Sequence, residues 1–392
     1  MSSNRALEQH IAVFGESGSG KTVMVSSFYG AAQESEYRKK SPFYVVADET
    51  GQGNRLQKNY LGMKNSAQRP EPTRFAATSY SFSIKLKDAS AAKAMKNSTF
   101  DALRLVWHDY PGEWFEEDQS GPEEAQRRID AFKALLHSDV ALFLVDGQRL
   151  LDNSGEEERY LKSLFTNFRN GLLSLWDDLE GDGKPVVEFP RIWVLALSKS
   201  DLLPDLTVFN FRDLLIEKVS DEIGELRSVI AGLVQDSEAL SVGEDFMLLS
   251  SAKFDAKKIE VSQRVGLDLV LPIAAVLPLN RHLKWAQARH NRGKVAEHLM
   301  GGIETLASAL GGIGALADAL GGRKNKLLTS IGLLLTHFGS GLSSLATVGR
   351  NKVKQANVVV AAKQESLRVT FAGFEADLEH GEEKQVLLRS DK

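Results

Sequence analysis

Over roughly the first three quarters of the chain, short apolar runs alternate with longer stretches in which apolar positions recur every three or four residues. The first pattern suits buried strands and the second amphipathic helices. Their alternation predicts a wound α/β sheet with helices on both faces. The runs His10–Phe14, Tyr80–Lys87, Ala102–His108, Val140–Val145, Arg191–Leu197 and Phe246–Leu249 read as strands. Helices are expected over Lys21–Ala32, Glu123–His137, Glu156–Trp176 and Phe209–Val234. Two stretches without a clear period, Asp48–Thr78 and the acidic Asp177–Pro190, read as long loops, which inside a compact domain are usually functional or disordered.

The pattern changes near residue 297, and with it the expected domain organisation: residues 1–296, a hairpin over 297–350 and a tail over 351–392. Ile303, Leu306, Leu310, Ile313, Ala317 and Leu320 repeat at helical spacing, and so do Ile331, Leu335, Phe338, Leu342 and Leu345. Gly321-Gly322-Arg323-Lys324-Asn325-Lys326 suits the turn between two such helices. A soluble helical hairpin, packed on the main domain or pairing with a second copy in a homo-oligomer, is the favoured reading. The alternative is contact with an anionic membrane through residues 281–354. Leu327–Gly349 lacks formal charge over 23 residues and has basic clusters at both ends. Its many Ser, Thr and Gly residues speak against that alternative. The basic run Arg281–Lys294 contains Trp285 but reads as a solvated helix face more readily than as an RNA site. For the tail the sequence suggests no role.

Composition removes several classes. With no cysteine there is no disulfide, no Cys-ligated zinc and no thiol nucleophile. A net charge of −4 argues against a dedicated nucleic-acid coat. The opening residues MSSNRALEQH run straight into a strand with no apolar leader, so a cytoplasmic address, with peripheral membrane association as the variant, is the expectation.

The strongest chemical signal is Gly15-Glu16-Ser17-Gly18-Ser19-Gly20-Lys21-Thr22, which fits G-x-x-x-x-G-K-[ST] between an apolar strand and a helix. Glycines there let successive backbone N–H groups turn inward around a phosphate. The lysine reaches the β/γ oxygens, the threonine ligates Mg²⁺, and the helix N-terminus adds its dipole. A second strand ends in Asp109, followed by Tyr110-Pro111-Gly112, giving D-x-x-G. Asp109 is the expected Mg²⁺ partner and Gly112 the γ-phosphate sensor.

A third strand runs into Ser198-Lys199-Ser200-Asp201, close to [NT]-K-x-D. A carboxylate at Asp201 accepts from both guanine N1–H and N2 amino protons, which adenine cannot offer, while the Lys199 stem covers the base. Farther on, Ser251-Ala252-Lys253 matches an S-A-K loop that contacts the guanine oxygen through its backbone. The order of P-loop, D-x-x-G, K-x-D and S-A-K, each at a strand end, resembles the translation-factor-like (TRAFAC) class of P-loop GTPases over about residues 8–296. Asp109-Tyr110-Pro111-Gly112-Glu113-Trp114 is similar in particular to bacterial GTPases of the YcjX-like sort.

That resemblance implies a three-layer, Ras-like α/β domain with a mainly helical C-terminal appendage. It also implies GTP or GDP with Mg²⁺ as ligands, and a protein effector or activator as partner. It assigns water positioning to Glu113, where Ras-like enzymes carry glutamine, and a switch I contact to Mg²⁺ and the γ-phosphate to a threonine before the second strand. Thr78 is favoured for this role by position, with Thr73 as competitor; Arg74 between them reads as a solvated arginine or an internal arginine finger. Ser198 departs from Asn or Thr, a change that points to weaker base affinity, although a hydroxyl there can still brace the P-loop. His108 alternates away from Asp109 and reads as structural. The function expected is a slow, Mg²⁺-dependent GTPase switch. The alternatives are a dynamin-like mechanical GTPase and a nucleotide-binding scaffold in which Glu113 has abolished hydrolysis.

Overall fold

The computed structural model describes residues 7–70, 78–87, 99–115, 121–179, 192–234, 237, 240–255, 258–288 and 353–390. Strands β1 (Leu7–Phe14), β2 (Phe43–Ala47), β3 (Thr78–Lys87), β4 (Thr99–Asp109), β5 (Val140–Asp146), β6 (Ile192–Ser198), β7 (Ser241–Leu248) and β10 (Leu387–Leu388) form one sheet in the order β10-β7-β6-β5-β1-β4-β3-β2. The centre is parallel, and β2, β3 and β10 add antiparallel edges. A small hairpin, β8 (Lys253–Asp255) with β9 (Lys258–Glu260), stands apart from it.

Every residue of β5 and β6 is buried, as expected of strands covered on both faces. On β3, buried Tyr80, Phe82, Ile84 and Leu86 alternate with half-exposed Ser81, Ser83 and Lys85, so only one face is covered there.

Helices α1 (Lys21–Ala32), α3 (Thr50–Ser66), α9 (Val270–Ala288) and α10 (Val353–Glu383) supply one outer layer. Met24, Val25 and Phe28 of α1, Leu56 of α3, Ile273 and Val276 of α9, and Phe371 and Phe374 of α10 share one core with the sheet. On the other face lie α4 (Pro122–Leu136), α6 (Glu157–Ser174) and α8 (Val208–Gly232); Phe165 and Phe168 pack against Phe14, Phe143 and Trp193, Phe132 meets Phe168, and Phe211 meets Phe246. Short helices α2 (Ser35–Lys40), α5 (Gly147–Asp152) and α7 (Trp176–Leu179) complete the set. The result is the expected three-layer α/β domain.

The stretch Asp48–Thr78 differs from its reading as a loop. It holds α3, and the strand β2 precedes it. Only Gly53, Leu56, Tyr60 and Met63 of α3 are buried, too thin an apolar stripe to announce a helix. Helix α3 comes close to α1 because Gly30 faces Tyr60, where an added Cβ would lie 2.1 Å from the ring.

Residues 353–390, for which the sequence suggested no role, return to the domain. Helix α10 lies along α9, and β10 pairs antiparallel with β7 through Leu387↔Met247 and Leu388↔Phe246. Fully buried Asp245 holds this corner, accepting from Arg281 Nη2 at 2.6 Å, Ser390 N at 2.9 Å and Ser241 Oγ at 2.9 Å. Arg281, expected at the head of a solvated or membrane-facing basic run, is thereby taken up inside the fold. Residues 297–350, with both hairpin stripes, lie outside the described residues. Among those described, no helix is long and apolar enough to cross a membrane.

Candidate functional site

The Gly15–Thr22 turn sits between the buried strand β1 and the start of α1. Gly18 and Gly20 adopt φ of +83° and +94°, a region that side-chain-bearing residues rarely enter. Gly15 leaves no room either, since a Cβ there would lie 2.9 Å from Leu144 Cβ. Lys21 is buried, and its Nζ donates to the Gly15 and Glu16 carbonyls at 2.8 and 2.9 Å, spanning the turn. Arg149 of α5 pairs with Glu16 at 2.9 Å on the outer side of the same turn.

Beside this turn the structure gathers the residues expected at Mg²⁺ and the γ-phosphate. Asp109 ends β4, is 1% exposed, and its Oδ2 accepts from Thr22 Oγ1 at 3.4 Å. Thr78 begins β3 directly opposite Asp109 in the antiparallel register. Gly112 is pressed onto the turn, where a Cβ would lie 2.2 Å from Ser17 N. Next to it, Glu113 Oε1 accepts from Ser17 Oγ at 3.0 Å. Arg128 of α4 pairs with Glu124 at 2.6 Å in a buried setting and donates to the Trp114 carbonyl at 3.3 Å, holding this segment from behind. Thr22, Asp109 and Thr78 are hard oxygen donors at the mouth of a phosphate cradle. That donor set fits Mg²⁺, which keeps several waters and takes one or two protein ligands beside phosphate oxygens. Thr73 and Arg74 lie outside the described residues.

The other end of the site is a cavity of about 310 Å3 that begins at Gly18, Ser19 and Gly20 and ends at Asp201 and Ala252. Lys199 enters it from a left-handed backbone position (φ +53°), and its Nζ donates to Asp146 Oδ2 at 2.7 Å. Asp201 Oδ1 accepts from Ser250 Oγ at 2.6 Å. Ser250 is itself fixed by two backbone hydrogen bonds with Val265, at 2.8 and 3.0 Å. Ser251 and Ala252 line the cavity. Lys253 is exposed on β8 and does not. The Ser198 hydroxyl donates at 3.2 Å to the Val145 carbonyl on neighbouring β5.

Of the expected residues, then, Gly18–Gly20, Lys199, Asp201, Ser251 and Ala252 share one cavity. Gly15–Ser17, Lys21, Thr22, Asp109, Gly112, Glu113 and Thr78 surround the adjoining turn. Several participants were not anticipated. Asp146 holds Lys199 and caps α5 through Gln148 N at 2.9 Å; its place at the end of an apolar strand is the same signal that marked Asp109. Ser250, the residue before the S-A-K serine Ser251, is the one that bonds Asp201. Gln148, Phe254 and Arg69 also line the cavity, with the Arg69 guanidinium 5.5 Å from the Phe254 ring centre. Nothing in the sequence pairs those last two. His108 does point away from Asp109, bonding to His10 at 3.0 Å and Ser79 at 2.8 Å.

Comparison with known proteins bears on what the site serves. Residues 9–242 match the model of the family described as Double-GTPase 2. No curated protein matches. Among solved structures, the chain is similar to one from the signal recognition particle receptor SRb-GTP/SRX complex of Chaetomium thermophilum, at 16% identity, 64% coverage of this chain, 93% of that chain and a TM-score of 0.33. It is also similar to the cytosolic domain of the T. maritima FeoB iron transporter in its GMPPNP form, at 11% identity, 94% and 98% coverage and a TM-score of 0.26. At those scores neither likeness carries weight for fold or function. The family match stands on its own: spanning more than half of the 392 residues, it shows that the chain belongs to the Double-GTPase 2 family and is a P-loop GTPase.

Proposed function

We propose that this protein is a guanine-nucleotide switch that binds GTP and GDP with Mg²⁺, hydrolyses GTP slowly alone, and turns over quickly only with a protein partner. The observation that carries the reading is a single cavity with the P-loop amides at one end and the Ser250-braced Asp201 carboxylate at the other. A triphosphate seated on the loop places its purine edge against that carboxylate.

The chain's own residues contribute mainly positioning and charge neutralisation, which supply most of the acceleration in phosphoryl transfer. Lys21 moves its donors from loop carbonyls to β/γ oxygens. Gly112 N–H senses the γ-phosphate, and Glu113 stands where an attacking water is oriented. Thr22, Asp109 and Thr78 would hold Mg²⁺, which when bound would supply positive charge to offset that of the phosphate oxygens. The guanidinium beside the loop, Arg149, is paired with Glu16 rather than poised alone, which accords with slow intrinsic turnover.

Identification of the copurifying nucleotide, followed by steady-state assays with GTP and ATP, tests this reading. Guanine nucleotide and slow GTP turnover are expected, with Lys21→Ala abolishing binding and Asp201→Asn shifting preference toward xanthine nucleotides. Rapid multiple turnover of ATP in preference to GTP overturns it. The contact of Glu113 with Ser17 favours a second reading, a scaffold that binds GTP but does not cleave it, because a carboxylate there repels the γ-phosphate. Prolonged single-turnover assays separate the two.

A further inference from the structure

Away from the nucleotide cavity, residues of α1, α2, β2 and α10 and of the segment 264–272 come together. Between them lies a second cavity of about 540 Å3, larger than the first and within the range of roughly 300–1,000 Å3 typical of small-molecule sites. Its floor is aromatic, formed by Phe28, Tyr37, Phe43 and Phe374. Phe43 and Phe374 meet edge to face with centres 5.5 Å apart, and Tyr37 meets Phe43 at 6.4 Å.

The rim carries both signs of charge. Arg264 and Asp268 satisfy each other at 3.0 Å. Asp377 and Lys384, both exposed at the cavity edge, have no ion pair with any described residue. Partial burial, and then the neighbouring Asp268 charge, holds the Asp377 carboxyl above its usual range against the opposing charge of His380 on the same rim. Burial first, and then Asp268, pushes the Tyr37 phenol up to about 12. A cation entering beside Asp377 relieves that crowding of negative charge, and an anion completes Lys384. One ligand that does both, on an apolar body, matches the cavity.

Two of its walls lead into the nucleotide site. Phe28 and Ala31 belong to α1, the helix that begins at Lys21. Val265 is the residue whose two backbone hydrogen bonds fix Ser250, and Ser250 holds Asp201. Gly266 follows at φ +65°, so close to β7 that a Cβ would lie 2.1 Å from the Leu248 carbonyl oxygen. A shift of this wall therefore moves the base-reading loop with it.

We propose that this cavity is a second ligand site for a small zwitterion with an aromatic or large apolar body, of the amino-acid or short-peptide class, and that its occupancy alters guanine-nucleotide release. The second half rests on the switch reading above; the binding half does not.

The experiment titrates the full chain by calorimetry with L-phenylalanine, 2-phenylethylamine and 3-phenylpropionate, using wild type, Asp377→Asn and Lys384→Gln. These exposed side chains are replaced without touching the core. L-Phenylalanine is expected to bind, with each singly charged analogue about tenfold weaker. Asp377→Asn weakens phenylalanine but not phenylpropionate, and Lys384→Gln weakens phenylalanine but not the amine. No binding of phenylalanine by wild type, or an affinity that both variants leave unchanged, overturns the site. Release of a fluorescent GDP analogue is then timed with and without saturating phenylalanine, and a change of about fivefold or more is expected. An unchanged rate overturns the regulatory half. A chain that takes up phenylalanine but no GDP instead overturns the switch reading and leaves the cavity assignment standing.

Discussion

Ser250 and Asp201 form the shortest polar contact in the base-end cavity, with the Ser250 hydroxyl donating to the Asp201 carboxylate at 2.6 Å. Under the proposed function that bond orients the carboxylate that reads guanine against adenine, and a hydrogen bond to a charged group contributes about 1.5–3 kcal/mol. Ser250→Ala is therefore expected to weaken GDP binding by about tenfold or more, in a ligand-free chain that still unfolds cooperatively. Equilibrium titration with a fluorescent GDP analogue reads the loss, and an undiminished affinity denies Ser250 the positioning role.

Gly112 has no space for a methyl group, because a Cβ would sit 2.2 Å from Ser17 N and 2.4 Å from the Glu16 carbonyl carbon. Gly112→Ala should displace the segment carrying Glu113 from the P-loop while leaving the base end intact. The expected outcome is GDP affinity close to wild type with GTP turnover lower by about tenfold or more, as misplacement of a positioning group implies. Parallel titration and single-turnover assays check the split.

His108 lies partly buried between His10 and Ser79. Burial first, and then the charge of His10, pushes its imidazole down to about 4 from the ordinary 6.5. Between those values the unfolded chain binds a proton that the folded chain refuses. Stability is therefore lost as pH falls from about 6.5 to 4, by about 2–3 kcal/mol in all. Above 6.5 the group contributes no slope. Replacement by Gln should flatten this part of the acid limb, measured as urea midpoints across pH 4–7 against wild type.

In the Asp245–Arg281 pair, removing a single partner strands a charge. Asp245 is fully buried, and the Arg281 side chain is 11% exposed. Arg281→Met should cost about 3–5 kcal/mol in urea unfolding, because the carboxylate stays behind without its cation. Adding Asp245→Asn to that variant should recover part of the loss.

How far the sequence revealed all this depended on how local each signal was. The P-loop, D-x-x-G and S-K-S-D each occupy a few consecutive residues at the end of an apolar strand, so their chemistry was legible before any fold was known. Helix α3 was not, because Gly51, Gly53 and Gly62 dilute its apolar stripe and its packing rests on the absence of side chains at Gly30 and Gly53. Ser250 and Ser251 are both plausible partners for Asp201, and only the register set by Val265 picks the first. The meeting of Arg69 with Phe254 joins residues far apart in sequence, and no periodicity encodes it.

The strand β10 is only two residues long, yet it forms the border of the sheet beyond β7. A shortened version ending at residue 296 would strip that cover and bare the ladder groups of β7, a template for self-association. The nucleotide-binding unit is thus closed by residues that come after everything it needs for chemistry, and a soluble fragment has to carry them along.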